Sequence, residues 1–300
     1  MFSYIKKIQS FKITFSDFFL KRWTRLFPLM LIGAISAGVV LYIYNQINQV
    51  ALFQIEPTIF GVIITALGIQ DGWVFGNPMI NNPTWYISVL LLCYIFFYIV
   101  TYYSKKFNIP YQYSYILIVL IGIGIQTWGI NKPFINYSSS RGLIAFFFGL
   151  LLADFLNNRG LKKKYSIVSF LIILSITLLF IYQPDVIYPG IYYIMIFVYY
   201  PAVIIFCKSS FVSIVTNRKI FGTLGKISFD VYILHTPLNF TIVTLISVGF
   251  ITVDMHSYVV MFVSAIIFFI IGAVCYYLVE KPTSKMMDRL LRKNNVKTDG

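Results

Sequence analysis

Trp85-Tyr-Ile-Ser-Val-Leu-Leu-Leu-Cys-Tyr-Ile-Phe-Phe-Tyr-Ile-Val-Thr-Tyr-Tyr103 runs without a charged side chain and is closed by Lys105 and Lys106. At about 1.5 Å per residue, one helix of this length crosses a hydrocarbon core roughly 30 Å thick. The stretch is a continuous apolar block. It lacks the alternation over about 10 residues that a barrel strand shows. In lipid a lone segment satisfies its own backbone only as a helix. Seven further blocks read the same way, at residues 26–44, 113–130, 142–156, 165–182, 191–207, 227–250 and 257–279. A ninth apolar stretch, 59–69, is too short to cross and reads as re-entrant, interfacial or packed against other helices. Hydrophobic residues make up 59% of the chain and charged residues 11%. Soluble domains carry about 45–50% apolar and about 25% charged residues, so lipid is the natural solvent. The expected fold class is all-α: a polytopic transmembrane helical bundle of about eight spanning helices plus the one short segment.

The net charge of +14 is distributed between the blocks. It therefore reads as a topology signal and not as a nucleic-acid footprint. With eight crossings and a cytoplasmic N-terminus, only Lys132 and Arg141 of the 24 lysines and arginines fall on the outer side. The positive-inside rule then puts both termini in the cytoplasm. If the short stretch crossed, Lys105 and Lys106 would move outside and each later loop would invert. Residues 1–25 show no apolar core before a small-residue cleavage site, so no cleaved signal peptide is expected. Cys93, Cys207 and Cys275 lie inside apolar blocks, away from other ligands, so neither a metal site nor a disulfide framework is expected.

Ionisable and polar groups inside a membrane are costly and mark candidate sites. Ser228, Tyr232, His235 and Asn239 fall within about 60° of one another on a helix and form a polar stripe. The stripe reads either as a groove in which His235 orients a hydroxyl or moves a proton, or as interhelical hydrogen bonding. Arg22 and Arg25 share one helix face where the first span begins. Such a pair clamps phosphates bidentately, or simply anchors the helix in the inner interface. Trp85 and Tyr86 read as sugar-stacking rings or as part of an aromatic belt. Arg141 opposes the charge bias, which points to a specific role. Asp154, on the same block, is expected to pair with Arg159 or Lys162. There is no Gly-x-Ser-x-Gly, and Gly222-Thr-Leu-Gly-Lys226 is too short for a P-loop.

Four landmarks in order resemble the membrane acyltransferase-3 family of bacterial surface O-acyltransferases. They are Lys21-Arg22-x-x-Arg25-x-x-Pro28; Trp85-Tyr-Ile-Ser88 with Tyr94; Arg141-Gly-Leu-Ile-Ala-Phe-x-x-Gly149; and Leu224-Gly-Lys-Ile-Ser-Phe-x-x-Tyr-x-x-His235 followed by Glu280-Lys-Pro282. The resemblance implies transfer of an acyl group, often acetyl, from cytoplasmic acyl-coenzyme A to a hydroxyl on a surface glycan or lipid-linked saccharide. It implies a bacterial inner-membrane location, donor phosphates on Arg22 and Arg25, and glycan-side roles for Trp85 and Arg141. Tyr86, Ser228 and Tyr232 are further candidates for the acceptor side. The family's first helix carries an Arg and a His regarded as the base, and a second helix follows. Neither is in this sequence, so the chain reads as a single domain over 1–300, shortened at its N-terminus by those two helices, with 283–300 a short basic cytoplasmic tail. His235 is then the candidate substitute for the base. Leu90 stands where some branches carry an acid. The competing reading is a polymerase or flippase for lipid-linked oligosaccharides, for which the outer segment 45–84 suits glycan binding.

Overall fold

A computed structural model describes residues 1–158, 163–187, 190–209, 212–214, 217–286 and 289. Among them, ten helices carry the fold: α1 (Phe2–Gln9), α2 (Phe15–Asn48), α3 (Ile59–Leu67), α4 (Trp85–Lys106), α5 (Tyr111–Thr127), α6 (Tyr137–Asn158), α7 (Lys163–Tyr182), α8 (Ile191–Cys207), α9 (Lys219–Ser247) and α10 (Tyr258–Met286). Among the described residues there is no strand, only an isolated bridge between Lys132 and Ile135. Helices α2, α4, α6, α7, α9 and α10 are long and apolar enough to cross a membrane, and α5 and α8 are shorter apolar helices. Together they stand at the eight expected positions. The chain is a multi-pass membrane protein built as an all-α bundle.

Boundaries differ where the helix outruns its apolar block. The first block begins at Leu26, yet α2 begins at Phe15. Thr14 caps it by accepting a hydrogen bond from the Asp17 amide at 3.2 Å. The Asp17 carboxylate in the first turn suits the positive end of the helix. Helix α9 likewise begins at Lys219, before the apolar run. The bundle thus has a basic end, where α4 closes on Lys105 and Lys106, and a loop end, where α2 meets α3.

The short stretch packs against another helix. Thr58 caps α3 by accepting from the Gly61 amide at 3.0 Å, and Gly68 ends it in the left-handed region at φ +69°. Val62 packs on Gly38, while Gly68 packs on Met30, midway along α2. The chain then returns through a polar seam. Gln70 donates to Thr84 at 2.8 Å, Asn81 to the Ile233 carbonyl at 3.0 Å, and Ser88 to the Asp71 carbonyl at 2.7 Å. Gln70, Asn81, Thr84 and Ser88 are all buried. Irregular backbone at this depth is tolerated because protein, not lipid, surrounds it.

Close helix pairs meet at glycine. Gly33 of α2 faces Ile233 of α9, Gly272 of α10 faces Val231 of α9, and Gly142 of α6 faces Val89 of α4. Small residues let helices approach where lipid gives no hydrophobic drive between them. A Cβ at Gly142 would lie 2.0 Å from Val89 Cγ1. Gly142→Ala is expected to cost about 1–3 kcal/mol by overpacking, read as a lower unfolding temperature in detergent. Gly225→Ala, with nothing within 4 Å of the new Cβ, is the control and should not destabilise. Asp154 accepts a hydrogen bond from Gln112 at 2.9 Å; its expected partners Arg159 and Lys162 lie outside the described residues. So does most of the expected tail at 283–300.

Candidate functional site

At the basic end, α1, α2 and α10 enclose a cavity of about 350 Å³. Arg22 and Arg25, three residues apart on α2, both line it, as their spacing implies. Lys21, Lys281 and Lys285 join them, and Glu280 is the one carboxylate among the lining residues. The Arg22 guanidinium lies over the Tyr4 ring at 4.5 Å and the Tyr94 ring at 5.8 Å. Its Nε is buried without a hydrogen-bond partner. Arg25 Nε sits 3.7 Å from Glu280 Oε1, with 63% of the Arg25 side chain exposed against 6% for Glu280. Five cations around one carboxylate make a pocket that a polyanion neutralises, and two guanidiniums give it the fork geometry phosphate oxygens match.

Toward the loop end, α4, α6 and α8 enclose a larger cavity of about 760 Å³. It brings together Trp85, Tyr86, Arg141 and Tyr232, four residues the sequence singled out on three separate helices. The Arg141 guanidinium lies over the Trp85 ring at 4.7 Å, the Tyr192 ring at 5.5 Å and the Tyr137 ring at 5.6 Å. Tyr192 donates its hydroxyl to the Arg141 carbonyl at 2.9 Å. Arg141 Nε is buried without a partner. Tyr232 donates its hydroxyl to the Pro83 carbonyl, which fixes its ring 6.4 Å from that of Tyr86. Below this aromatic rim the lining turns apolar, through Val89, Phe146, Phe148, Leu152 and Ile204. From Arg141 to Leu152 the lining follows α6 for about 16 Å at helical rise. A second, more polar hollow of about 600 Å³ lies among the loops at this end and shares Tyr137 with the cavity.

Cys93 of α4 lines the larger cavity, and its neighbour Tyr94 carries a ring 5.8 Å from the Arg22 guanidinium. Ser228 is not brought to either cavity. It is exposed, and its hydroxyl donates to the Gly225 carbonyl on its own helix at 3.0 Å. The polar stripe is thus split: Tyr232 bonds to the Pro83 carbonyl just ahead of α4, while Ser228 and His235 turn to their own helix.

His235 lines neither cavity. Its Nδ1 is 2.7 Å from the Tyr232 carbonyl. A carbonyl only accepts, so Nδ1 donates there, and Nε2 lies 3.4 Å from the Thr236 hydroxyl. Its ring lies 5.9 Å from that of Tyr232. The geometry thus sets His235 beside Tyr232, one helical turn on, and outside both cavities. His235→Gln is expected to lower acceptor kcat/KM by about three- to tenfold, whereas loss of a general base costs about 10²–10⁴ in rate. A kcat loss in that higher range, with KM unchanged and the pH profile altered, would instead make His235 the base.

Sequence reasoning missed three residues of these cavities. Tyr4 and Tyr192 come from helices whose pattern marks nothing but an interface. Glu280 stands within a quoted motif but is not singled out, although an acid inside a span is the signal that finds it. Against this geometry stands one comparison with known proteins. The sequence model of the acyltransferase-3 family, described as an acyltransferase domain, matches residues 8–278. No curated protein and no solved structure matches.

Proposed function

The chain belongs to the acyltransferase-3 family, and from that membership we propose an integral-membrane O-acyltransferase that takes its acyl group, acetyl first among the candidates, from acyl-coenzyme A at the basic end. The acceptor is a hydroxyl of a surface glycan or lipid-linked saccharide, held at the loop end. The observation that carries this reading is one cationic cavity that holds both Arg22 and Arg25 and a second, larger cavity lined by Trp85, Tyr86, Arg141 and Tyr232. The cationic one suits the phosphates of the donor. The aromatic one suits a saccharide: Trp85, Tyr86 and Tyr232 offer ring faces and edges, and Arg141 offers donors. In the transfer, the acceptor oxygen forms a bond to the acyl carbon, the carbon–sulfur bond breaks, and the hydroxyl proton ends on the coenzyme A thiolate. Lysine and arginine concentrated at one end support a cytoplasmic side for that end by the positive-inside rule, and a bacterial inner membrane is the location that goes with this reading. Donor and acceptor would then meet from opposite compartments.

The test is transfer of label from acetyl-coenzyme A into glycan or lipid-extractable material in membranes carrying this chain. Incorporation that Arg22→Gln with Arg25→Gln abolishes supports the reading. Incorporation unaffected by that pair of changes overturns the donor site. A chain that lengthens or translocates oligosaccharide without incorporating label would be a polymerase or flippase.

A further inference from the structure

The more polar hollow at the loop end has a volume of about 600 Å³, within the range of about 300–1,000 Å³ usual for small-ligand sites. Its walls are fixed by hydrogen bonds among three segments. Ser138, in the first turn of α6, donates to Asp71 Oδ2 at 2.7 Å, and Asp71 Oδ1 accepts from the Gly72 amide at 2.9 Å. Trp73 donates its ring N–H to the Ser88 carbonyl at 2.8 Å, and its own carbonyl accepts from the Phe134 amide at 3.0 Å. The Asp71 carboxylate and the Trp73 N–H are thus already engaged. What stays open comes from α5 and the loop after it. Gln126 accepts the Tyr193 hydroxyl on Oε1 at 2.8 Å, while its Nε2 is buried without a hydrogen-bond partner. Asn131, exposed on the loop, adds a second amide to the lining.

Buried donors without acceptors are rare in folded proteins, and a bound ligand is one way to satisfy them. Two of them belong to spaces that share a residue. Tyr137 lines the hollow together with Gln126, and it lines the aromatic cavity together with Arg141, whose Nε is likewise unpartnered. Lys132 and Asp71 both line the hollow, so its formal charges cancel. That suits a neutral polyhydroxyl, where the basic cavity suits phosphate. The rings of Trp73 and Tyr137 add apolar surface with polar edges, against which a sugar ring packs. We propose that the hollow holds a second sugar residue of the acceptor, joined to the one held by Trp85, Tyr86 and Arg141. The preferred acceptor is then an oligosaccharide of at least two residues and not a single sugar. Its hydroxyls accept from Gln126 Nε2 and exchange hydrogen bonds with the Asn131 amide. This rests on the reading of the aromatic cavity as the acceptor site.

The probe is the chain's own product. Saccharide labelled from acetyl-coenzyme A in native membranes is freed from lipid and cut into pieces of one to four sugar residues that contain the modified one. Mild base then strips the acetyl groups. Each piece is offered to the full chain in lipid nanodiscs with labelled acetyl-coenzyme A. From one residue to two, kcat/KM is expected to rise about tenfold, chiefly through KM, because a sugar held by a few hydrogen bonds and a ring contact contributes on that scale. Longer pieces should add little. Gln126→Met removes the amide at similar length, and Asn131→Ala removes the exposed one. Each should cut the step by about threefold, and together they should abolish it, with the rate on the single sugar and the affinity for coenzyme A within about twofold of the unaltered chain. Equal kcat/KM for one and two residues overturns the proposal and leaves the acceptor cavity standing. So does a step that survives both substitutions. A labelled product without saccharide, or no labelled product, overturns the acceptor reading itself and this proposal with it. Where Gln126→Met does not fold, the step on the unaltered chain and its loss in Asn131→Ala decide the matter.

Discussion

Coenzyme A binding should weaken by about a thousandfold when Arg22 and Arg25 are both replaced by glutamine. A hydrogen bond to a charged group is worth about 1.5–3 kcal/mol, and two of them about 3–6. At about 1.4 kcal/mol per tenfold, the middle of that range is about three powers of ten. The two arginines are not equivalent. Arg25 is largely exposed and leans on Glu280, so it can swing to a ligand. Arg22 is fixed in place by the rings of Tyr4 and Tyr94, with Nε left free of any hydrogen bond. Arg22→Lys should therefore fail to restore affinity, because an ammonium has neither the planar stack nor the fork. Arg25→Lys should restore part of it. Each ring stacked on Arg22 contributes about 0.5–1 kcal/mol, too little for its removal to unfold the bundle. An unfolding temperature close to that of the unaltered chain, beside the abolished binding, is the expected pattern. Binding reduced less than about tenfold in the double variant would remove the phosphate role from both residues.

Much of the bundle is legible in the sequence because lipid imposes a simple rule. Every backbone group must be satisfied within its own segment, so the apolar blocks at 85–103 and 165–182 translate directly into α4 and α7. Only 6% of the apolar window in α7, and again in α10, is buried, so in those helices hydropathy alone carries the signal. The rule fails where protein replaces lipid. The first turns of α2, from Phe15, carry charge and still form helix, because Phe18 packs against Tyr94 and Phe97. No single-segment pattern contains that packing.

The site is legible in part for a related reason. Arg22 with Arg25 is a local spacing on one helix, and the structure keeps it. Trp85, Arg141 and Tyr232 are suspects one by one in the sequence; that they share a cavity depends on the approach of α4 to α6 at Gly142 and on the Tyr232–Pro83 hydrogen bond. Helical periodicity groups Ser228 and His235 with Tyr232, but each of those two side chains bonds to a carbonyl of its own helix. A wheel projection gives direction about the axis and cannot see a side chain folding back along it. The meeting of Arg25 with Glu280 is hidden for the opposite reason, since the two residues are far apart in sequence and joined only by helix packing.

Arg141→Leu should lower acceptor kcat/KM by about 10²–10³ while coenzyme A binding stays within about threefold. Leucine keeps the apolar stem and removes the guanidinium. That guanidinium has Trp85, Tyr137 and Tyr192 about it and, among the described residues, no carboxylate in ion-pair range. Its donors are thus free for a ligand, and removing a charged partner from a desolvated contact costs about 2–5 kcal/mol. The stacked rings give up a cation–π contribution of about 0.5–2 kcal/mol, so a modest fall in unfolding temperature accompanies the change. What separates a binding role from a merely structural one is the other cavity. Arg22 and Arg25 line the other cavity, and they touch none of the rings around Arg141 in the described residues. If Arg141 engages the acceptor, donor affinity is spared and Arg141→Lys recovers a fraction of the rate by restoring charge without the planar fork. If Arg141 only holds α4, α6 and α8 together, donor binding falls in step with transfer and Arg141→Lys is no better than Arg141→Leu. That second outcome would take Arg141 out of the acceptor site and leave the saccharide to Trp85, Tyr86 and Tyr232.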